Sequence, residues 1–216
     1  MLIRLKDLKS LDAVASDDSR HTVTDLFVGD NHRVTHVVVD IGSWFERQKC
    51  AMRIAVFGQP DVAESVWPVT VAAADVEAGE VVAARAPEDA EVEPEMLSQA
   101  ECELAAASSS ADLHRVGRLL DADVMGSDKL AGSLMDVIVE TDGWHIAMLV
   151  IHAGPTDMEH QRVIPVGMVA DIDWSTPRIT LSCPESTVDS SPELHEIGDR
   201  IEGKWYNKVL GYYGLG

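Results

Sequence analysis

The chain has 216 residues, 46 % of them hydrophobic, enough to fill one large core or two small ones. Its 17 basic residues against 37 acidic ones leave a formal charge of −20, which repels phosphate backbones and anionic lipid and argues against direct nucleic-acid binding. No apolar run approaches the roughly 18 residues of a spanning helix, and the opening MLIRLKDLKSLDA alternates charged with apolar groups instead of forming a signal-peptide core, so a cytoplasmic protein without a membrane span is expected.

Taken in order, the chain repeats itself. Asp17 to Asp25, DDSRHTVTD, aligns with Asp128 to Asp136, DKLAGSLMD, at a spacing of 111. LFVGDNHRVTHVVVDIG then matches VIVETDGWHIAMLVIHAG, and the spacing grows to 112 where Asp30-Asn31-His32 faces Thr141-Asp142-Gly143-Trp144. An insertion there suits a turn between two strands, and Asp142-Gly143 is a two-residue hairpin signal because both turn positions need positive φ. Val37 to Val39 and Met148 to Ile151 are nearly continuous apolar runs, as in strands covered on both faces. CAMRIAVFG matches RVIPVGMVA at 112, and Val69 to Val71 match Ile179 to Leu181 at 110. About five or six short strands per copy predict a small barrel or sandwich.

Between the copies the composition changes. Asp75 to Glu103 carry ten acidic residues against one basic residue, Arg85, with Pro87 and Pro94 and an AAASSSA run close behind. This reads as a linker, with a helix candidate over PEMLSQAECELAA. After the second copy, SSPELHEIGDRIEGKWYNKVLGYYGLG predicts a helix with two candidate starts. Ser191 as cap puts Pro192 at the first helical position, whereas Ser190 as cap puts Glu193 where a capping box needs it. A break is expected at Gly203 or Gly211.

Each copy resembles a PRC-barrel domain, the small all-β module named after the cytoplasmic part of the photosynthetic reaction centre H subunit and found also in a ribosome maturation factor. The features that carry the resemblance are the opening RLKDLKSLDAVASDD, an Asp before an apolar strand (Asp25 and Asp136), the VVVDIGSW strand and turn, and the RVIPVGMV strand. SSPE followed by KWYNKVLGYYG resembles the tail of bacterial proteins with two such domains in tandem. Two positions depart from the pattern. A glycine four residues before the Asp is present as Gly132 but is His21 in the first copy, and a proline in the later strand is present as Pro165 but is Arg53 in the first.

The expected fold is therefore mainly β, with two small PRC-like β-barrels in tandem over residues 1–78 and 111–188. An acidic Ala/Ser/Pro-rich linker occupies 79–110, and a C-terminal helix with an aromatic tail occupies 189–216. The resemblance implies an assembly or adaptor surface and brings no catalytic residues with it.

Little in the chain suggests reaction chemistry. Dinucleotide, phosphate-loop and nucleophile-elbow motifs are absent. HEIGD, His195 to Asp199, comes nearest to the zinc helix H-E-x-x-H, but Asp199 stands at the second histidine's place. His32 with His36, and His145 with His152, do not gather three ligands on a strand. Cys50, Cys102 and Cys183 are widely spaced and form no C-x-x-C pair, so reduced thiols are expected, with no metal and no cofactor. Asp17, Asp18, Asp121 and Asp123 suit turns and caps, and Asp25 and Asp136 suit carboxylates bonded to nearby backbone amides.

Aromatic residues mark the candidate interaction sites. Trp205, Tyr206, Tyr212 and Tyr213 place all three tyrosines near the C-terminus. They either fold back over the protein's own β-structure or bind a partner. Trp44 follows the repeated strand but has no counterpart in the second copy, where Pro155-Thr156 stand opposite Ser43-Trp44. The expected role is a non-enzymatic adaptor for a protein partner, with self-association into a homo-oligomer open. The alternatives are an accessory factor in ribosome or RNA processing that binds a basic ribosomal protein, and an accessory of a photosynthetic reaction centre.

Overall fold

The computed structural model describes residues 1–29, 31–41, 49–70, 113–153, 161–194 and 203–216. The chain is mainly β and forms two compact units: Lys6–Val116 make one, and Met1–Leu5 with Gly117–Gly216 make the other. Relative to a division at 1–78 and 111–188, the units have traded their opening strands. The expected linker, 79–110, lies outside the described residues.

In the unit of Lys6–Val116, β2 (Asp12–Val14), β3 (Arg20–Val28), β4 (Val34–Asp40), β5 (Lys49–Arg53) and β6 (Val66–Pro68) follow the order β5-β4-β3-β2-β6. The short β7 (His114–Arg115) joins off this path on β3. In the other unit, β8 (Asp123–Met125), β9 (Leu130–Glu140), β10 (His145–His152), β11 (Gln161–Pro165), β12 (Val169–Asp173) and β13 (Arg178–Leu181) follow the order β11-β10-β9-β8-β13-β12. Here β1 (Leu2–Arg4) joins on β9. Among the described residues neither sheet closes on itself.

Sequence equivalence becomes structural equivalence for every strand except β12, at whose place the first copy has only the isolated bridges of Phe57 with Val69 and Asp61 with Val66. β2 pairs in parallel with β6, Asp12 opposite Val66, as β8 pairs with β13, Asp123 opposite Arg178. This places Val66–Pro68 opposite Arg178–Thr180 at a spacing of 112 and corrects the 110 read from Val69–Val71 and Ile179–Leu181. The pairing of β3 with β4 slips between Val23 and Asp25 and again between Phe27 and Val28, and β9 with β10 slips at the equivalent places. Such bulges bend the strand and raise its twist, so each repeat curves its longest hairpin at the same points.

The central strands are buried on both faces. Val37, Val38 and Val39, like Met148 through Ile151, are at most 1 % exposed, as near-continuous branched and bulky runs require. The fully buried Trp67 contacts Phe57 at a ring-centroid distance of 4.8 Å, and its indole N–H donates to the Gly58 carbonyl at 2.9 Å.

Three local expectations resolve differently or more fully. The β9–β10 connection spans Thr141–Trp144, and its positive-φ residue is Trp144 (φ 47°), not Gly143. The equivalent His32 is also left-handed (φ 61°), so the connection before β10 is not a two-residue Asp-Gly turn. Arg53 adopts φ −59°, ψ 136°, close to the φ −60°, ψ 141° of Pro165, so the corner after β5 keeps a proline's geometry without the ring. Gly132 has φ 153°, and a Cβ there would run into the His152 carbonyl oxygen, which is why this β9 position takes glycine.

The C-terminal helix does not start at Ser190 or Ser191. A short helix α2 (Glu185–Asp189) precedes them, and Ser190 lies at its C-terminal end with its N–H on the Ser186 carbonyl. Glu193 instead forms an isolated bridge with Arg162 and an ion pair of 3.1 Å, so the local capping signal loses to a tertiary one. The last helix, α3, runs Gly203–Tyr212, with Gly203 at its start and Gly211 inside it.

Candidate functional site

Two buried carboxylates, Asp25 and Asp136, lie where the opening strands seat. In β9, Asp136 Oδ1 accepts the N–H of Val137 at 2.9 Å, and Oδ2 accepts Arg4 Nε of β1 at 2.8 Å. In β3, Asp25 Oδ1 accepts the N–H of Leu26 at 2.8 Å, and Oδ2 accepts Arg115 of β7, with Nε and Nη2 each at 3.0 Å. Asp25 and Asp136 lie 111 positions apart, and so do Arg4 and Arg115. Both carboxylates are buried, and each holds a guanidinium group of the incoming strand by charge-assisted bonds to Oδ2 while Oδ1 is taken by a backbone amide. Sequence reasoning anticipated the backbone amides but missed the arginines, although the matching 111 spacing of two opposite charges was there to read.

The second candidate region is the aromatic tail. α3 packs against its own unit: Trp205 and the fully buried Val209 join Ile138, Met148, Val150 and Val163 in one buried cluster. Leu2, Tyr206 and Tyr213 pack against that cluster while partly buried. Burial raises the phenol pKa of both tyrosines, with Glu140 adding to the effect at Tyr206. Tyr212 is different, being 41 % exposed, with its hydroxyl donating to the Thr187 carbonyl at 2.8 Å and its ring edge-on to Tyr213 at 5.0 Å. Trp44 lies outside the described residues. Of the five candidates, the structure thus places three in or against one core and leaves Tyr212 outward.

The acidic turns are built from local hydrogen bonds. Asp61 Oδ1 accepts the N–H groups of Ala63 and Glu64, and the equivalent Asp173 Oδ1 accepts those of Ser175 and Thr176. Asp128 Oδ1 accepts Lys129 N–H and Glu185 N–H, and the bond from Glu185 is the main cause of its lowered pKa. The Asp173 carboxyl is lowered in the same sense, first by the Ser175 hydroxyl. Asp17 bonds Ser19, and Asp18 and Asp121 take positive φ, which are turn roles.

Among the described residues no three His, Cys, Asp or Glu side chains are placed to hold a metal ion. His145 Nδ1 lies 3.4 Å from Glu140 Oε2, and His36 is buried beside Phe27. HEIGD lies outside the described residues. Cys50 and Cys183 are buried, and burial raises both thiol pKa values, which lowers their reactivity. No helix among the described residues is long and apolar enough to cross a membrane. Comparison with protein-family models and with curated proteins finds no match for this chain.

Proposed function

We propose that the protein is a non-enzymatic, cytoplasmic adaptor or assembly module, in which two PRC-like barrels carry surfaces for a protein partner. The observation that supports this reading most is the use made of the repeated polar residues. Asp25, Asp136, Arg4 and Arg115 are taken up in seating strands at equivalent places in both copies, so the repeated chemistry serves scaffold. Partner recognition then belongs to what is not repeated, and the outward Tyr212 is its candidate anchor.

Affinity purification of the full chain from native lysate, with mass spectrometry of the retained proteins, tests this. The expected result is a specific partner retained by the wild type and reduced with Tyr212→Ala. The same proteins retained equally by both chains would remove Tyr212 from the account, and no specific protein retained by either would count against the adaptor role.

The charge of −20 favours a basic partner, which gives the ribosomal reading a specific form: an acidic accessory that holds a basic ribosomal protein. Co-sedimentation with ribosomal subunits at low salt supports that form, and absence from those fractions removes it.

A further inference from the structure

The two opening strands occupy the same seat twice. Ile3 lies opposite Val139 and His114 opposite Val28, and in each case an arginine one residue further on reaches the carboxylate three residues before its strand's partner. Each opening strand leaves the repeat that encodes it and completes the other one. The seat for β1 is built from Ile138–Glu140 and Asp136, more than 130 positions away in sequence. It therefore recognises β1 by backbone register and charge, and neither of these distinguishes this molecule's β1 from another's.

We infer that β1 and its seat on β9 form a self-association site whose occupant, between molecules, is β1 of a second copy of this chain. Three features select that occupant. Arg4 matches Asp136 in charge and reach. Leu2 packs against the buried cluster that contains Trp205 and Val209, so the seat requires an apolar residue at that position as well. The chain also runs from β1 straight into helix α1 (Leu5–Leu8), without a connecting loop, so an exchanged β1 brings the Lys6–Val116 unit of its own molecule with it. Exchange of an identical element between protomers is a low-cost route to a dimer.

The molecule's own strand holds the advantage of an effective concentration on the order of millimolar. The single chain with its own β1 in place is therefore the resting form at micromolar concentration. Exchange follows when that seat opens. This needs no outside partner and stands whether or not the adaptor reading holds.

Complementary charge variants of the full chain test it. Arg4→Asp sets two carboxylates against each other at the molecule's own seat, and Asp136→Arg sets two guanidinium groups against each other. When the two variants are mixed, the strand of each matches the seat of the other. Native mass spectrometry is expected to show each variant alone as a monomer and the mixture as a species containing both chains. Hydrogen exchange should show amide protection over Leu2–Arg4 in the mixture and not in either variant alone. A mixture that behaves as the sum of its two parts overturns the inference. Because the variants could be damaged in folding, wild-type chains with and without heavy isotopes are also refolded together at high concentration. Dimers of mixed mass are expected, and monomers alone overturn the inference.

Discussion

At Asp136 one carboxylate does two jobs, holding the Val137 amide with one oxygen and Arg4 with the other, and Asp25 repeats the arrangement with Leu26 and Arg115. The two pairs differ in solvent. The Arg4 side chain is 17 % exposed and that of Arg115 39 %, while both carboxylates are nearly dry. Removing either arginine strands a buried carboxylate, at up to about 3–5 kcal/mol, and the solvent already reaching the half-exposed Arg115 softens that penalty more than at the drier Arg4. Urea unfolding is thus expected to show Arg4→Ala costing more than Arg115→Ala, and equal losses would mean that exposure does not control these pairs. Gly132→Ala should destabilise by about 1–3 kcal/mol or more because its Cβ meets the His152 carbonyl, while His21→Gly at the equivalent place should lack this steric penalty in reverse and change stability by less. At the acidic turns, the lowered pKa values of Asp128 and Asp173 mean that the folded state binds their protons less readily than the unfolded state. Their stabilisation is present above the ordinary carboxylate range and is lost as pH falls through the lowered folded values. The Tm difference between wild type and Asp128→Asn should therefore shrink below about pH 4, and a difference that grew on acidification would reverse the assignment.

At the level of elements, α3 is held by burial. Trp205→Ala should cost about 3–5 kcal/mol by opening a cavity in the cluster with Val209 and Met148, and Tyr212→Ala less than that, since Tyr212 is 41 % exposed and lies outside the buried cluster. Chemical denaturation of the two variants checks the order. For the same reason, removing everything after Asp189 would report on the fold as well as on partner binding. The strands themselves were legible in the sequence, because runs such as Val37–Val39 and Met148–Ile151 are too apolar for any place but a covered sheet. The helix start was not. Pro192 and Glu193 carry local capping signals, but Arg162 draws Glu193 into a bridge, and no local pattern reports a residue 31 positions away. The turn before β10 was misread for a related reason: Asp142-Gly143 permits a tight turn, but the backbone places its positive φ at Trp144.

For the molecule as a whole, the repeat at 111 and 112 positions made the duplication plain, but it did not say which sheet each opening strand joins. Alternation and charge in LIR read the same whether the strand adds to β3 or to β9. That choice is tertiary, and its trace in the sequence is only the shared spacing of Arg4 with Arg115 and Asp25 with Asp136. If the −20 charge sets partner choice, retention of a basic partner should weaken steeply with added salt, and salt-insensitive binding would point to apolar contacts instead.

The crossing of β1 from its own repeat to the other within one chain is tested most directly by placing cysteine pairs in the full chain and mapping disulfides in the monomer by peptide mass spectrometry. Ile3→Cys with Val139→Cys joins residues that face each other across β1 and β9, and Ile3→Cys with Val28→Cys joins residues that would face each other only if β1 stayed with its own repeat. A disulfide within the monomer between positions 3 and 139, and none between 3 and 28, is the predicted result. Crosslinking at 3 and 28 in its place would contradict the exchanged architecture.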